Sequence, residues 1–400
     1  MSDMTDTSRS AEARRLQALR ERLDRAEHAG AAAPAGAGAA TDAAPSEAGP
    51  VDGVLISDAN NRRYLSGFTG SAGHLLITRG AAVLLTDFRY VEQAGLQAPG
   101  FEAVKIDGAA WPPLAEQVKS LGVRRLGFEA EDLTVDSYLR LQQALAEAAP
   151  EAHLVPLRGL VEGLRQTKDS AEVELVRRAV AVADRAFEAV ARSLVPGATE
   201  RQVAWQLEVA MRERGAEAVA FPIIVAAGPH AAMPHHRPSD RPIGVGEPVV
   251  IDMGCRLDGY CSDLTRTITL GEPDARFWEI YGVVLKAQQA CEDGLKAGML
   301  GEAGDRLARN VITAAGHGEH FGHGTGHGVG LAIHEGPYLS PTRGHMEVRT
   351  GAVVTVEPGI YLPGWGGVRL EDMVVVGPAR ALVLTTAHKF PIVTNAAAVT

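Results

Sequence analysis

Two segments of this sequence each carry a pair of acidic residues within apolar, strand-like runs. The first, EPVVIDMGCRLDGYCSDLTRTITL, holds Asp252 and Asp263 on either side of a turn signal around Leu257-Asp258-Gly259. If the turn centres between Leu257 and Asp258, the two aspartates are direct cross-strand partners. Like charges that face each other destabilise a sheet, so a divalent cation between them is the expected compensation.

The second segment, VVTVEPGIYLPGWGGVRLEDMVVV, repeats this pattern. Glu357 and Glu371 are equidistant from Gly364, in the middle of a loop rich in glycine and proline. The spacing predicts a second hairpin in which these two carboxylates face each other. Either pair alone is compatible with solvent-facing acids on a strand. Two such pairs, both in apolar surroundings, favour a metal site over an exposed surface.

Histidines cluster between the two acidic segments. The stretch FGHGTGHGVGLAIHEGP contains His323, His327 and His334, and five glycines lie within residues 322–330. Because glycine has no side chain, the backbone can approach a ligand closely there. A single histidine is typical of a core or surface position, whereas three so close together favour a functional site. Upstream, GPHAAMPHHRPSD adds three more histidines: His230, His235 and His236.

The charges of these side chains suit two metal ions. Four carboxylates balance two divalent cations, one neutral imidazole completes the set, and a bridging hydroxide supplies a nucleophile. A donor set of mostly oxygen with one nitrogen favours manganese, with cobalt and zinc as alternatives.

The motif set resembles the metallopeptidase family that includes methionine aminopeptidase, aminopeptidase P and prolidase. That family has the pita-bread catalytic fold and a dinuclear metal centre with five ligands, in the order Asp, Asp, His, Glu, Glu. The resemblance implies that the first aspartate binds one metal, that the histidine and the first glutamate bind the other, and that the remaining two carboxylates bridge. The five positions in this chain are Asp252 in VVIDMG, Asp263 in SDLTRT, His327 in GTGHGVGL, Glu357 in TVEPGIY and Glu371 in VRLEDM.

Four further residues are candidates for catalysis or substrate binding. The resemblance implies that His235, in MPHHRPSD, contacts the substrate near the scissile bond and that His334 is the proton donor or oxyanion partner. Both roles make chemical sense, because a tetrahedral intermediate needs a hydrogen-bond donor and the leaving nitrogen needs a proton. Arg369, two residues before Glu371, is expected to orient that ligand or to bind a substrate carbonyl. His323 is expected in the substrate pocket or behind the metal ligands.

The elements that must position these residues are of mixed α/β type. Strand and helix patterns alternate through residues 1–160, which predicts a small amino-terminal α/β domain, and residues 161–400 are expected to form the pita-bread catalytic domain. Residues 29–50, almost entirely alanine, glycine and proline, are interpreted as a flexible insert. Ser170 is a plausible N-cap of a long amphipathic helix that ends before Pro196.

The composition limits the cellular environment and the classes of binding partner that we expect for this protein. The chain has 400 residues, a net charge of −10 and 46% hydrophobic residues, which suits a globular protein but not general binding of nucleic acid. No apolar run is long enough to span a membrane. Three cysteines do not form a disulfide framework, so a reducing cytoplasm is expected, with Cys255 and Cys261 as free thiols.

These observations favour an Xaa-Pro aminopeptidase of the aminopeptidase P type, acting on peptides with proline at the second position. The resemblance of NNRRYLSGFTGSAG and TDFRYVEQA to aminopeptidase P favours substrates longer than dipeptides. An Xaa-Pro dipeptidase, or prolidase, is the main alternative. A creatinase-like hydrolase and a non-catalytic binding relative are less favoured because both typically lack the ligands. Methionine aminopeptidase usually lacks the extra domain. Homologous architectures are often homodimers, and this state stays open here.

Overall fold

A computed structural model describes residues 11–23, 50–389 and 391–393 of the chain. The chain divides into two compact units, Met1–Arg165 and Gln166–Thr400. Apart from Pro50, the predicted insert at 29–50 lies outside the described residues. None of the described helices combines the length and the apolar character that a membrane span requires.

The first unit alternates strands and helices along the chain. Its strands are β1 (Gly53–Ile56), β2 (His74–Thr78), β3 (Ala82–Asp87), β4 (Glu102–Ile106), β5 (Arg125–Glu129) and β6 (His153–Leu157). Its helices are α1 (11–23), α2 (Ala59–Ser66), α3 (Val91–Gln97), α4 (Trp111–Ser120), α5 (Val135–Ala148) and α6 (Glu162–Arg165). The strands form one six-stranded sheet in the order β4-β3-β2-β1-β5-β6, with parallel and antiparallel pairs.

Both faces of this sheet are buried, as the alternation of strand side chains requires. Leu55 and Leu85 pack with Leu114 of α4 and Leu141 of α5 in one hydrophobic core. Their strand neighbours, such as Ile56 and Leu84, are also fully buried and therefore lie in a second apolar layer. The leucine stripe of α1, with Leu16, Leu19 and Leu23, is buried as its helical spacing predicts.

The second unit contains two helix pairs and several small sheets. The helices are α7 (Ser170–Ala191), α8 (Glu200–Glu213), α9 (Ala275–Gly294) and α10 (Gly301–Ala314), with 3₁₀ turns at Gly228–Ala232 and Gly318–His320. The strands are β7 (Ala218–Val219), β8 (Ile224–Ala227), β9 (Val249–Met253), β10 (Cys255–Leu257), β11 (Tyr260–Cys261), β12 (Leu264–Leu270), β13 (Gly326–Gly328), β14 (Glu335–Leu339), β15 (Val353–Val356), β16 (Gly359–Leu362), β17 (Gly366–Arg369), β18 (Asp372–Val376), β19 (Ala381–Val383) and β20 (Ile392–Val393).

Each helix pair covers its own sheet. Helices α7 and α8 share a core with the sheet β20-β12-β9-β8, through residues such as Val203, Leu207 and Ile251. Helices α9 and α10 share another core with the sheet β14-β13-β15-β18-β19, through residues such as Val284 and Val354. The mixed α/β class predicted from the sequence is confirmed in both units.

The long helix α7 begins one residue earlier than the sequence pattern predicts. Asp169, not Ser170, is the N-cap: its side chain accepts a hydrogen bond from the Glu172 N–H, and the Glu172 side chain accepts one from the Asp169 N–H. This reciprocal capping box satisfies two backbone donors that the first helical turn leaves unpaired. A glutamate three residues after an aspartate is the sequence signal that identifies the correct cap.

The register predicted for the first acidic hairpin is wrong by two residues. Asp258 and Gly259 both have positive φ, 48° and 81°, so they are the two central residues of the turn. Asp252 therefore pairs with Thr265 rather than with Asp263. Because strand side chains alternate between faces, a shift of two residues keeps both aspartates on one face, as diagonal neighbours.

The register predicted for the second acidic hairpin is confirmed. Strands β15 and β18 pair Val356 with Asp372, and strands β16 and β17 pair Gly359 with Arg369, so both ladders share the predicted centre at Gly364. Glu357 and Glu371 lie where the hydrogen-bonded ladder is interrupted between these two pairs of strands.

The capping assignment predicts a difference between two adjacent alanine variants. Asp169→Ala should lower the free energy of unfolding by about 1 kcal/mol, because the box loses its acceptor for the Glu172 N–H. Ser170→Ala should change it by only a few tenths of a kcal/mol, since surface substitutions away from caps have small effects. Urea unfolding followed by circular dichroism measures both, and equal losses would contradict the assignment.

Candidate active site

The second unit contains a cavity of about 630 Å³. All nine residues predicted from the sequence to bind metal or substrate, or to act in catalysis, line it: His235, Asp252, Asp263, His323, His327, His334, Glu357, Arg369 and Glu371. The sheet packed on α7 and α8 contributes Asp252, and the sheet packed on α9 and α10 contributes His327. The site is therefore assembled from residues far apart in the sequence.

Three carboxylates meet on the cavity floor. One oxygen each from Asp252, Asp263 and Glu371 lies within 4.8 Å of the others. The backbone N–H of Glu371 donates to the carbonyl of Thr265 at 3.1 Å, which ties the second acidic segment to β12. The Thr265 hydroxyl also donates to Glu371 Oε2 at 2.8 Å, so the orientation of this carboxylate is fixed.

His327 and Glu357 extend this cluster on one side. His327 Nε2 lies 3.3 Å from Glu357 Oε1 and 3.7 Å from Asp263 Oδ2. The other ring nitrogen, Nδ1, lies 3.1 Å from the Gly328 carbonyl, so it carries a proton and donates. The lone pair of Nε2 is then directed towards the carboxylates, an orientation that needs a cation or a proton between them.

The pKa values of the buried carboxylates are shifted in opposite directions. Burial raises the pKa of Asp263 well above its usual value, and the charges of Glu371 and Asp252 raise it further. Burial likewise raises the pKa of Glu371 well above its usual range, with the charges of Glu357 and Asp252 adding to the effect. Burial alone would raise the pKa of Glu357, but the hydrogen bond and the charge of a protonated His327, together with the charge of Arg369, lower it to about 2. The cluster thus holds more negative charge than its own hydrogen bonds compensate.

The chemistry of these donors fits divalent metal ions. Within the part of the chain that the structure describes, the buried Oδ1 of Asp252 has no hydrogen-bond partner. Four carboxylates and one imidazole form an oxygen-rich set, which suits hard or borderline divalent ions. Asp263 is close to both groups of side chains: one of its oxygens lies within 4.8 Å of oxygens of Asp252 and Glu371, and its Oδ2 lies 3.7 Å from His327 Nε2.

Arg369 is enclosed by protein atoms behind the cluster. Its Nη2 donates to Asp252 Oδ2 at 2.6 Å, its Nη1 to the Tyr361 hydroxyl at 2.9 Å, and its Nε to the Thr265 hydroxyl at 3.2 Å. The side chain is only 4% exposed. It therefore contacts Asp252 directly and reaches Glu371 only through Thr265, an arrangement that favours ligand orientation over binding a substrate carbonyl.

His323 lies in the same hydrogen-bonded chain. Its Nδ1 is 2.8 Å from the Gly324 carbonyl and its Nε2 is 2.8 Å from the Tyr361 hydroxyl. Since Nδ1 must donate to that carbonyl, Nε2 accepts from Tyr361, which in turn accepts from Arg369. Burial lowers the pKa of His323, so the ring is neutral near pH 7.

The two proposed catalytic histidines are the exposed members of the site. His235 and His334 both line the cavity, and both are exposed. The His334 ring packs edge-on against the His327 ring, with centroids 4.4 Å apart. Partial burial lowers the pKa of His334, and the neighbouring His327 adds to this shift. A neutral imidazole at this position can both accept and donate a proton.

Sequence reasoning missed the polar residues that hold the ligands. Thr265 lies two residues after Asp263, and Thr355, two residues before Glu357, donates its hydroxyl to that carboxylate at 3.2 Å. Because strand residues two apart share a face, this spacing is a signal that could have identified both threonines. Tyr361 has no such spacing to a ligand, and only the hairpin β16–β17 brings it next to Arg369.

One glycine of the glycine-rich segment is required for the packing of two strands. A Cβ on Gly326 would lie 1.9 Å from the Thr355 carbonyl oxygen, so any side chain there would clash with β15. Glycine at this position therefore allows close approach of two strands. This close packing of the two strands places His327 beside Glu357.

Family comparisons cover both units. Residues 174–378 match the model of metallopeptidase family M24, and residues 43–167 match the creatinase/prolidase N-terminal domain. The first match alone spans half of the chain, and it contains all nine predicted site residues.

Individual relatives agree with this assignment. The chain is 36% identical to the Xaa-Pro dipeptidase of Pyrococcus horikoshii over 82% of this chain and 90% of that protein. It is similar to the solved structure of an Xaa-Pro dipeptidase from Bacillus anthracis, with 42% identity, a TM-score of 0.86 and coverage of 95% and 99% of the two chains. An X-Pro aminopeptidase structure from Thermotoga maritima gives 36% identity and a TM-score of 0.80, over 86% and 98% of the two chains. These likenesses confirm the fold and the resemblance inferred from the motifs: the chain belongs to metallopeptidase family M24.

Proposed function

We propose that this protein is a metal-dependent exopeptidase that hydrolyses the bond between an amino-terminal residue and a following proline. The observation that carries the proposal is the convergence of five potential ligands, rich in oxygen, with two exposed histidines in one cavity. The relatives reported above, which are named for Xaa-Pro substrates, support the same substrate class.

Asp252, Asp263, His327, Glu357 and Glu371 would hold two divalent ions, for which the donor set favours manganese over cobalt or zinc. Bound there, such ions supply Lewis acidity and lower the pKa of a water nucleophile. The protein's own contribution is orientation. Arg369 and Thr265 hold Asp252 and Glu371, and the Gly328 carbonyl holds the His327 ring so that Nε2 faces the cluster.

His334 and His235 would serve the reacting peptide. His334 packs against His327 and is neutral near pH 7, so it can accept a proton from the attacking water and then pass that proton to the leaving nitrogen. His235 lines the cavity and can donate a hydrogen bond to the carbonyl oxygen as negative charge develops on it. In this assignment, each exposed histidine acts on a different end of the scissile bond.

Proline recognition would rest on shape, since the proline nitrogen has no hydrogen for an enzyme to bind. The cavity wall includes the apolar or aromatic side chains of Phe221, Pro222, Ile223, Pro238 and Tyr338. The negative charge of the cluster would attract a free amino terminus, which restricts cleavage to the first bond of the peptide.

A dipeptidase is the second candidate, and one residue favours it. Arg343 lines the cavity, and its guanidinium lies 3.6 Å from the centre of the Tyr338 ring. It is also close enough to His334 to contribute to lowering the pKa of that ring. If His334 protonates the leaving proline nitrogen, Arg343 is placed to bind the free carboxylate that a dipeptide carries.

The cellular location and the oligomeric state are also proposals. The cytoplasmic location is supported by the three cysteines, which are all free thiols in the structure. Formation of a homodimer rests on the resemblance alone, and light scattering on the purified protein tests it.

The metal assignment predicts the effect of single ligand changes. Asp263→Asn and Glu371→Gln should each lower bound metal and reduce kcat by more than the roughly 10- to 100-fold that outer-shell changes cost. Asp274→Asn is the matched control, because this carboxylate caps α9 outside the cavity and asparagine also caps well. Metal analysis and kcat are measured together after chelation and reloading with manganese. Full activity of the chelated, metal-free protein would exclude the proposal.

The substrate assignment is tested with manganese-loaded protein and a matched peptide series. Xaa-Pro and Xaa-Pro-Xaa peptides should be cleaved after the first residue, and N-acetylated versions should resist because they lack the free amine. Xaa-Ala peptides should be cleaved at least about 10-fold more slowly, a difference of ~1.4 kcal/mol in transition-state binding. Equal rates on Xaa-Ala and Xaa-Pro would contradict proline recognition.

The choice between dipeptidase and aminopeptidase P depends on Arg343. If it binds the substrate carboxylate, Arg343→Ala should raise KM for Xaa-Pro dipeptides by about 10-fold, the loss of one charge-assisted hydrogen bond. KM for Xaa-Pro amides should stay unchanged, since these have no carboxylate. Arg237→Ala, which removes another exposed arginine of the cavity wall, is the control. Equal effects on acids and amides would rule out this role, and efficient cleavage of longer peptides would favour aminopeptidase P.

A further inference from the structure

A buried carboxylate lies just outside the cavity and contacts none of the proposed metal ligands directly. Glu200, the first residue of α8, is 0% exposed. It accepts five hydrogen bonds of 2.7–3.0 Å, from the Ala227 N–H, His230 Nδ1, His236 Nε2, the Ser239 N–H and the Ser239 hydroxyl. Five hydrogen bonds to one carboxylate indicate that this side chain has a specific structural role.

These donors surround the segment that carries His235. Ala227 and His230 precede His235, and His236 and Ser239 follow it. The rings of His230 and His236 also pack together, with centroids 4.2 Å apart. A single carboxylate thus closes residues 227–239 into a loop, which lacks regular secondary structure after the 3₁₀ turn at Gly228–Ala232.

The cluster of Glu200, His230 and His236 has the donor types of a metal site, but its bonding argues against one. A carboxylate offers about four lone-pair positions, and five donors already occupy those of Glu200. Burial by itself would raise the pKa of Glu200, but hydrogen bonds from Ser239, Ala227 and His236 lower it to about 2. The carboxylate is therefore charged and fully satisfied without a cation.

The same loop is also attached on its cavity side. The Pro234 carbonyl accepts a hydrogen bond from Arg369 Nη1 at 3.5 Å, and Arg369 binds Asp252. His236 is anchored to Glu200, whereas the adjacent His235 is exposed in the cavity. His235 thus lies between two attachment points, one to the cluster through Arg369 and one to α8 through Glu200.

We infer that Glu200 is a positioning residue, which holds His235 at the distance from the metal cluster that the reaction requires. This inference rests on the role of His235 given in the proposed function. Glu200 does not touch the substrate in this assignment and acts only through the loop. A displacement of about 1 Å in a catalytic group can cost roughly 10²-fold in rate, so the loss of the anchor should be visible in kcat.

A double-mutant cycle separates positioning from general stability. Glu200→Gln should lower kcat for an Xaa-Pro substrate by about 10- to 100-fold, with two metal ions still bound and KM changed by less than about three-fold. His235→Ala should produce a similar loss. In the His235→Ala background, Glu200→Gln should cost less than about two-fold more, because the group that it positions is already absent.

Two further variants show whether a loss of activity comes from a folding defect. Asp184→Asn is the matched control, since Asp184 is another buried helix carboxylate that accepts hydrogen bonds from the N–H and the hydroxyl of one residue, Thr386. It should lower the melting temperature and leave kcat unchanged. If Glu200→Gln does not fold, Ser239→Ala, which removes one of the five donors, takes its place in the cycle with an expected loss of about three-fold or more.

The outcomes distinguish this inference from the function on which it rests. Equal losses from Glu200→Gln in both backgrounds would overturn the positioning role and leave the role of His235 intact. Wild-type activity of His235→Ala would overturn the role of His235 and the positioning role with it. A third bound metal ion that disappears in Glu200→Gln would show that the cluster is a metal site and would also overturn the inference.

Discussion

Four carboxylates share a buried cavity floor, and their mutual repulsion is the constraint that the surrounding structure has to satisfy. Asp263 and Glu371 are only 5% and 2% exposed, so water does little to screen them. Bound cations would relieve this repulsion, and metal binding would then contribute directly to the stability of the second unit. The two sheets that supply the ligands are each packed on their own helices, which keeps the carboxylates together despite the repulsion.

The side chains behind the ligands follow a simple rule of strand geometry. Thr265, Thr355 and Arg369 each lie two residues from an acidic ligand and hence on the same strand face. Each contacts a carboxylate of the cluster, directly and at hydrogen-bonding distance. The ligands are thus oriented by residues that lie on the strands next to them in the chain.

The side of the cavity that would meet the peptide is built differently. His235 lies on an irregular loop, and that loop is held by the carboxylate of Glu200 on one side and by Arg369 on the other. Buried charge therefore has two uses in this unit. In the cluster the charge is only partly compensated and fits cations, whereas at Glu200 it is fully hydrogen-bonded and fixes the chain.

The sequence by itself determined the types, order and strand context of the potential ligands. It also determined the register of the second acidic hairpin, because Glu357 and Glu371 flank a loop with a clear centre at Gly364. The sequence predicted the local structure less accurately where the position of a turn or of a helix cap depends on one residue. The turn is centred on Asp258-Gly259, so the register of the first hairpin differs by two residues from the predicted one. The capping box makes Asp169, rather than Ser170, the N-cap of α7.

Only the tertiary structure decided which distant groups meet. Nothing in local sequence connects Glu200 with His236, or Tyr361 with His323, since these contacts arise when separate elements pack together. The same holds for Gly326, whose missing side chain is required by the carbonyl of Thr355 on a neighbouring strand. The residue types and their spacing determine which chemistry the site can perform. The position of each group depends on contacts between residues that are far apart in the chain, and local sequence patterns carry no information about such contacts.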